Sequence, residues 1–183
     1  MTESDRMQFK LLASLLAYPD AAWKNALPEF AEVAEALEED RGRQTLGRFL
    51  EYAGATPEIR LQETYTGTFD LNPAASLNLT YHLLGESEDR GKALASLLAV
   101  YAQEGYEALP EELPDYLPMM LEFLAVCPAS ADAGPVRACL ATVPDLAARL
   151  EQEAHPYAGL LGLAADILRE RGYLVISPTR KEA

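Results

Sequence analysis

The sequence predicts an all-α protein built as a single-domain helical bundle, and three observations carry that reading. Apolar residues recur at three- and four-residue spacing along most of the chain, which is the period of a helix with one buried face. Proline and glycine fall between these stretches and mark where helices stop. The chain has 183 residues, 49% of them hydrophobic, which suits one domain with a sizeable core and argues against disorder. No fixed-period repeat, low-complexity tract or long linker divides it. The expected layout is a helical domain over 1–172 and a flexible tail over 173–183, basic at its end with Arg180 and Lys181.

The elements follow in order. Met7, Leu11, Leu12, Leu15 and Leu16 form a first stripe, which Tyr18-Pro19 ends because a residue before proline avoids the helical region. Trp23, Leu27, Phe30, Val33, Ala34 and Leu37 form a second, split by Pro28 into a short piece and a longer one. Glu29, Glu32, Glu35, Glu38, Glu39 and Asp40 run opposite it as a solvated face. Leu46, Phe49 and Leu50 mark a third helix, closed by Gly54. Thr56 is expected to cap the next helix, with Pro57 at its first position. There Leu61, Tyr65 and Phe69 repeat every fourth residue as one stripe, and Asp70, Asn72 and Pro73 end it. Ser76 to Leu84 fits a short helix stopped by Gly85. Ser87 is placed to cap a helix that turns Ala93, Leu94, Leu97, Leu98 and Tyr101 inward and stops at Gly105.

A proline-punctuated loop, Leu109-Pro110-Glu111-Glu112-Leu113-Pro114, precedes a helix capped by Asp115 and holding Leu117, Met120, Leu121 and Leu124. Pro118 is tolerated there because first-turn amides lack helical partners. A second loop runs from Cys127-Pro128 to Gly134-Pro135. Two or three further helices, broken at Pro144 and Pro156, complete the domain, and Gly172 ends the last.

Composition excludes several function classes. The net charge is -14, from 29 acidic and 15 basic residues. Nucleic acid and anionic membrane surfaces both need basic patches, so neither is an expected partner. No apolar run is long enough to cross a membrane and no leader pattern opens the chain, so the cytoplasm is the expected compartment. Cys127 and Cys139 make no metal pattern and are expected in the core of a protein in a reducing compartment. No Glu-x-x-His pair, phosphate-cradling glycine loop or nucleophile elbow is present. Glu151 and His155 share the i, i+4 spacing of a surface contact. Neither an enzyme nor a resident cofactor or metal is expected, and a small helical metal-binding enzyme stays as the alternative of another class.

The charge is unevenly placed. From Ala93 to Val136 there is no lysine or arginine, while Glu104, Glu107, Glu111, Glu112, Asp115, Glu122 and Asp132 all fall there, half of the net charge. Tyr106, Leu109, Leu113, Tyr116, Leu117 and Met120 interleave with them as a possible groove floor. That arrangement suits docking of a basic amphipathic segment, with burial on the floor and steering by the rim. The plainer reading is a solvated loop over an ordinary core.

Specific motifs sharpen this. Leu61-Gln62-Glu63-Thr64-Tyr65-Thr66-Gly67-Thr68-Phe69-Asp70 resembles the Tyr-x-x-x-Phe-Asp segment of the NarJ family, the nitrate reductase molybdenum cofactor assembly chaperones or delta subunits. Leu79-Thr80-Tyr81-His82 with Gly85-Glu86-Ser87-Glu88-Asp89-Arg90-Gly91 is similar to that family's next block, and Glu112-Leu113-Pro114-Asp115-Tyr116-Leu117-Pro118 with Leu121-Glu122-Phe123 to its loop and following helix. Leu15-Leu16-Ala17-Tyr18-Pro19 and Pro156-Tyr157-Ala158 are similar too. The third block also resembles the Glu-Pro-x-Asp-His loop of the broader TorD/DmsD maturation chaperones, but Leu113-Pro114-Asp115-Tyr116 departs from it toward the nitrate reductase branch.

The resemblance implies a chaperone that binds the N-terminal segment of the apo catalytic (alpha) subunit of respiratory nitrate reductase. It would support molybdenum cofactor insertion and delay membrane docking. Another molybdenum oxidoreductase is the alternative client, and the chain would be a monomer or a domain-swapped dimer. The residues expected to bind the client are Tyr65, Phe69, Asp70, His82, Glu104, Glu112, Asp115, Tyr116 and Glu122. Each has a plainer role beside it. Phe69 suits core packing, Asp70 a helix end, His82 a packing position and Asp115 a helix cap. Arg90 is expected to pair locally with Glu86 and Asp89.

Overall fold

Helices form where the apolar stripes run and stop where proline and glycine interrupt them. A computed structural model describes residues 2–108 and 112–174, without the side chains of 131 and 132. Its α-helices are α1 (Glu3–Leu15), α2 (Ala21–Asn25), α3 (Leu27–Glu35), α4 (Asp40–Ala55), α5 (Glu58–Tyr65), α6 (Leu79–Leu84), α7 (Asp89–Gln103), α8 (Leu117–Val126), α9 (Gly134–Leu140), α10 (Val143–Gln152) and α11 (Ala158–Glu170). A π-helical turn, Thr66–Asp70, extends α5, and 3-10 turns occupy Pro73–Ala75 and Pro128–Asp132. The described residues contain no strand, and one isolated antiparallel bridge joins Asn78 to Tyr116. The protein is all-α. Leu109, Pro110 and Glu111 of the expected loop, and 175–183 of the expected tail, lie outside the described residues.

The helix ends have local causes. Pro28, Pro118, Pro135 and Pro144 stand in the first turns of α3, α8, α9 and α10, where a missing amide breaks no helical bond. Gly85 and Gly105 adopt φ of 57° and 70° just beyond α6 and α7, a region that side chains with a Cβ rarely enter. Thr2 and Asp5 close the start of α1 reciprocally. The Asp5 amide donates to Thr2 Oγ1 at 3.2 Å, and the Thr2 amide donates to Asp5 Oδ2 at 2.6 Å.

Three expected caps turn out otherwise. The Thr56 hydroxyl donates back to the Tyr52 carbonyl at 2.7 Å, so it finishes α4, and Pro57 takes the capping place of α5. Glu88 rather than Ser87 precedes α7, although Ser87 Oγ still accepts the Asp89 amide at 3.2 Å. Asp115 does not cap α8, which is preceded by Tyr116 without a side-chain bond.

The core is organised around α1 and α8. These two pack along each other, α1 also meets α11, and α11 packs on α10 and α4. Phe9, Leu12, Leu15, Leu16, Leu117, Met120, Leu121, Phe123 and Leu124 are fully buried. A helix that is apolar nearly all round belongs at the centre of a core. In α8 only Glu122 and Val126 are exposed, one turn apart, and they mark its single outward side. Leu61, Tyr65 and Phe69 are buried as one stripe. Phe69 meets the rings of Tyr65 and Tyr157 edge-on at 4.9 and 5.2 Å. Leu98 departs from the expected inner face of α7 and stands 46% exposed, because Leu97 and Tyr101 already occupy that face one turn apart.

Candidate functional site

One flank of α1 carries Lys10, Ala13 and Ser14 at the i, i+3, i+4 spacing, and Ala17, two residues past its end, continues the line. Beside it α8 offers Pro118, Met119 and Glu122, and Tyr106, Glu112 and Tyr116 close a cleft of about 430 Å³. A second cleft of about 370 Å³ shares Lys10, Tyr106 and Glu122 and adds Glu104, Gly105, Val126 and Cys127. Ala17 shares the first cleft with Pro118, and Lys10 shares the second with Val126, so α1 and α8 run antiparallel along one continuous groove. Alanines on the α1 side let a ligand approach the backbone closely. Tyr116, Pro118, Met119 and Val126 make the other apolar contacts.

The groove brings together four of the residues expected to bind a partner. Glu112, Tyr116 and Glu122 meet in the first cleft, and Glu104 joins Glu122 in the second. All three glutamates are exposed. The Tyr106 hydroxyl donates to Glu122 Oε2 at 3.3 Å, and the Ser130 hydroxyl donates to Glu104 Oε1 at 2.6 Å. Burial, and then the Glu122 carboxylate, push the Tyr106 hydroxyl up to about 12, so it remains a donor at neutral pH.

Tyr116 is held from behind. The Tyr65 hydroxyl donates to the Leu16 carbonyl at 2.9 Å, which uses its only hydrogen. The Tyr116 hydroxyl, 2.7 Å away, is therefore the donor to Tyr65. Burial raises both hydroxyls, Tyr116 to about 12 and Tyr65 further. Tyr65 is only 2% exposed and reaches the groove solely through Tyr116.

Phe69 and Asp115 are interior, not groove-lining. Phe69 is 3% exposed and packs in the aromatic core. Asp115 is fully buried. Its Oδ2 accepts the Thr80 amide at 3.0 Å and the Thr80 hydroxyl, while its carbonyl accepts the Leu79 amide at 3.0 Å. Asp115 thus caps the start of α6 from 35 residues away. Arg90 turns inward rather than pairing with Glu86 or Asp89. Its Nε donates to Thr80 Oγ1 at 3.0 Å, and its guanidinium comes within 3.8 Å of Asp115 Oδ2. This side-chain set ties α6, α7 and the segment before α8 together.

His82 lies elsewhere, half-buried with Nε2 at 2.7 Å from the Ser76 carbonyl, in a cleft with Asp145 and Arg149. Asp70 is exposed at the end of the π turn and does not line the groove, though its charge helps raise Tyr65 and Tyr116. Sequence reasoning missed Lys10, Ala13, Ser14 and Ala17. Their helical spacing is readable, but nothing local pairs that flank with α8. Leu117 and Met120, expected on the floor, are buried beneath it. Cys127, expected in the core, is half-buried at one end of the groove, whereas Cys139 is buried and its thiol pushed up to about 12.

No group of three or more His, Cys, Asp or Glu among the described residues is placed to hold a metal ion. No helix among them is long and apolar enough to cross a membrane. The chemistry of the groove is that of a binding surface, with apolar contacts between carboxylates.

The family model for the nitrate reductase delta subunit matches residues 18–161. A Bacillus subtilis (strain 168) protein named "Probable nitrate reductase molybdenum cofactor assembly chaperone NarJ" is 35% identical over 173 residues, covering 94% of both chains. The Escherichia coli (strain K12) nitrate reductase molybdenum cofactor assembly chaperone NarJ is 37% identical over 161 residues, 86% of this chain and 67% of that one. The crystal structure of a proposed redox enzyme maturation protein from Archaeoglobus fulgidus shares the fold, with a TM-score of 0.66 at 23% identity over 90% of this chain and 93% of that one. Matched over most of its length by that family model and by these two relatives, the chain belongs to the nitrate reductase delta subunit family, whose relatives named here are assembly chaperones and not enzymes.

Proposed function

We propose that this chain is a chaperone of respiratory nitrate reductase that works in the cytoplasm on the apo catalytic subunit. It holds that subunit's N-terminal segment in the groove between α1 and α8, supports molybdenum cofactor insertion, and delays membrane docking. The observation that carries the binding mode is the groove itself, with Glu104, Glu112 and Glu122 around an apolar lining. An amphipathic client segment would bury its apolar stripe against Ala13, Tyr116, Pro118 and Met119 and set basic residues beside the carboxylates. The net charge of -14 favours encounter with a basic segment. Family membership and the names of the relatives support the role. In this reading Tyr65, Phe69 and Asp115 hold the groove walls from inside, and Asp70 and His82 lie apart from the client.

Calorimetric titration with a peptide matching the N-terminus of a nitrate reductase catalytic subunit, at low and high salt, tests this. Saturable binding that weakens with salt is expected. Glu112→Lys with Glu122→Lys should lower affinity about tenfold or more, ~1.4 kcal/mol, with an unchanged circular dichroism spectrum. Equal affinity in that folded variant would sink the site. No binding by the wild-type chain at either salt would turn the role toward another molybdenum oxidoreductase.

A further inference from the structure

We infer that Lys10 and Glu122 set the direction, N- to C-terminal, in which a client helix lies in the groove. The inference rests on the groove being the client site. Among the described residues Lys10 is the only cation that lines either cleft. It stands on α1 where the two clefts join, and Glu122 stands at the same level on α8. Both are exposed. Glu122 takes the Tyr106 hydroxyl rather than Lys10 as its partner, so the opposed charges are available on the two walls.

A helix resting on its apolar stripe presents one flank to α1 and the other to α8. Lys10 selects an acidic residue on the first flank, and Glu122 a basic residue on the second. Turning the helix end for end, with the same stripe down, exchanges the flanks. Lys10 then meets the base and Glu122 the acid, and two attractions become two repulsions. The ends of the groove do not discriminate in this way, because Glu112 sits toward one end and Glu104 toward the other. Directional choice therefore falls on the pair at the junction. The client it fits is an amphipathic helix with a base on one flank and an acid on the other within about one turn.

Cys127, half-buried at the Val126 end of the groove, reports which client terminus lies there, while Cys139 is only 2% exposed. The probe is a designed amphipathic peptide with a leucine stripe, arginines on one flank and glutamates on the other, carrying a bromoacetyl group at its N- or its C-terminus. Cys127 Sγ displaces bromide and forms a thioether with whichever end is near. In the wild-type chain one terminus should label Cys127 about tenfold faster than the other. In Lys10→Glu with Glu122→Lys, which leaves the net charge unchanged, the faster terminus should be the opposite one. The same terminus leading in both proteins, or equal rates from both termini in the wild type, overturns the inference while leaving the groove intact. Calorimetric silence of the peptide together with no labelling from either end overturns the groove reading, and the inference with it.

Discussion

Asp115 and Glu122 lie on the same stretch without lysine or arginine, yet their surroundings are opposite. Asp115 is fully buried between Thr80 and Arg90. Glu122 is exposed and takes one hydrogen bond, from Tyr106 at 3.3 Å. A carboxylate removed from water must be compensated where it sits, so Asp115 is committed to the fold. Glu122 keeps its hydration until a ligand displaces it. A run of acids in a sequence therefore mixes two kinds of charge, and only burial separates those that hold the chain from those that face a partner.

The comparison breaks most directly at Asp115. Asp115→Asn should leave Arg90 without its buried counter-charge and cost about 3 kcal/mol of unfolding free energy, whereas Glu122→Gln should stay within about 0.5 kcal/mol. Urea unfolding of both variants checks this, and equal midpoints would erase the distinction. A smaller effect sharpens the boundary between the two regions, which runs between Tyr65 and Tyr116. Tyr65→Phe strands both the Leu16 carbonyl and the Tyr116 hydroxyl and should cost about 2 kcal/mol. Tyr116→Phe leaves the Tyr65 to Leu16 bond in place and should cost only about 1 kcal/mol. The reverse order would place the load on the groove side.

The smallest effect concerns pH. The Thr68 hydroxyl donates to the Thr64 carbonyl at 2.6 Å, so His155 Nε2 is the donor to Thr68 Oγ1 at 2.9 Å, and His155 Nδ1 accepts the Tyr157 amide at 3.3 Å. Protonating Nδ1 removes that acceptor. Burial lowers the His155 pKa, with Glu153 opposing more weakly. The unfolded chain then binds the proton more readily, so the stability that neutral His155 contributes is complete above its ordinary value of 6.5 and is lost as pH falls below it. The stability gap between the wild type and His155→Gln should narrow from about pH 8 to about pH 5.5. A gap that widens would reverse the assignment.

What sequence reasoning reached was local. Most of the helix stripes and the stops at Gly85, Gly105 and Gly172 depend on neighbours a few residues away, and they appear in the structure as expected, whereas Gly54 falls inside α4 and Pro57 precedes α5 instead of opening it. Glu112, Tyr116 and Glu122 were legible as a cluster because they share one short acidic stretch. Asp115 was misjudged because the nearest backbone amides suggested a cap on α8, while the Thr80 amide, distant in sequence, competes for the same oxygen. The α1 wall of the groove was illegible for a similar reason. Lys10 and Glu122 belong to helices separated by most of the domain, and no periodicity within either one encodes their meeting.

The packing of α1 on α8 also sets a clock. About a hundred residues separate the end of α1 from the start of α8, and a ribosome adding ~5–20 residues per second takes roughly 5–20 s to cover them. Through that interval Phe9, Leu12 and Leu15 have no α8 to cover them. The groove thus cannot form until α8 has been made, with α9, α10 and α11 still to follow, and any ligand it takes must wait for that point in synthesis.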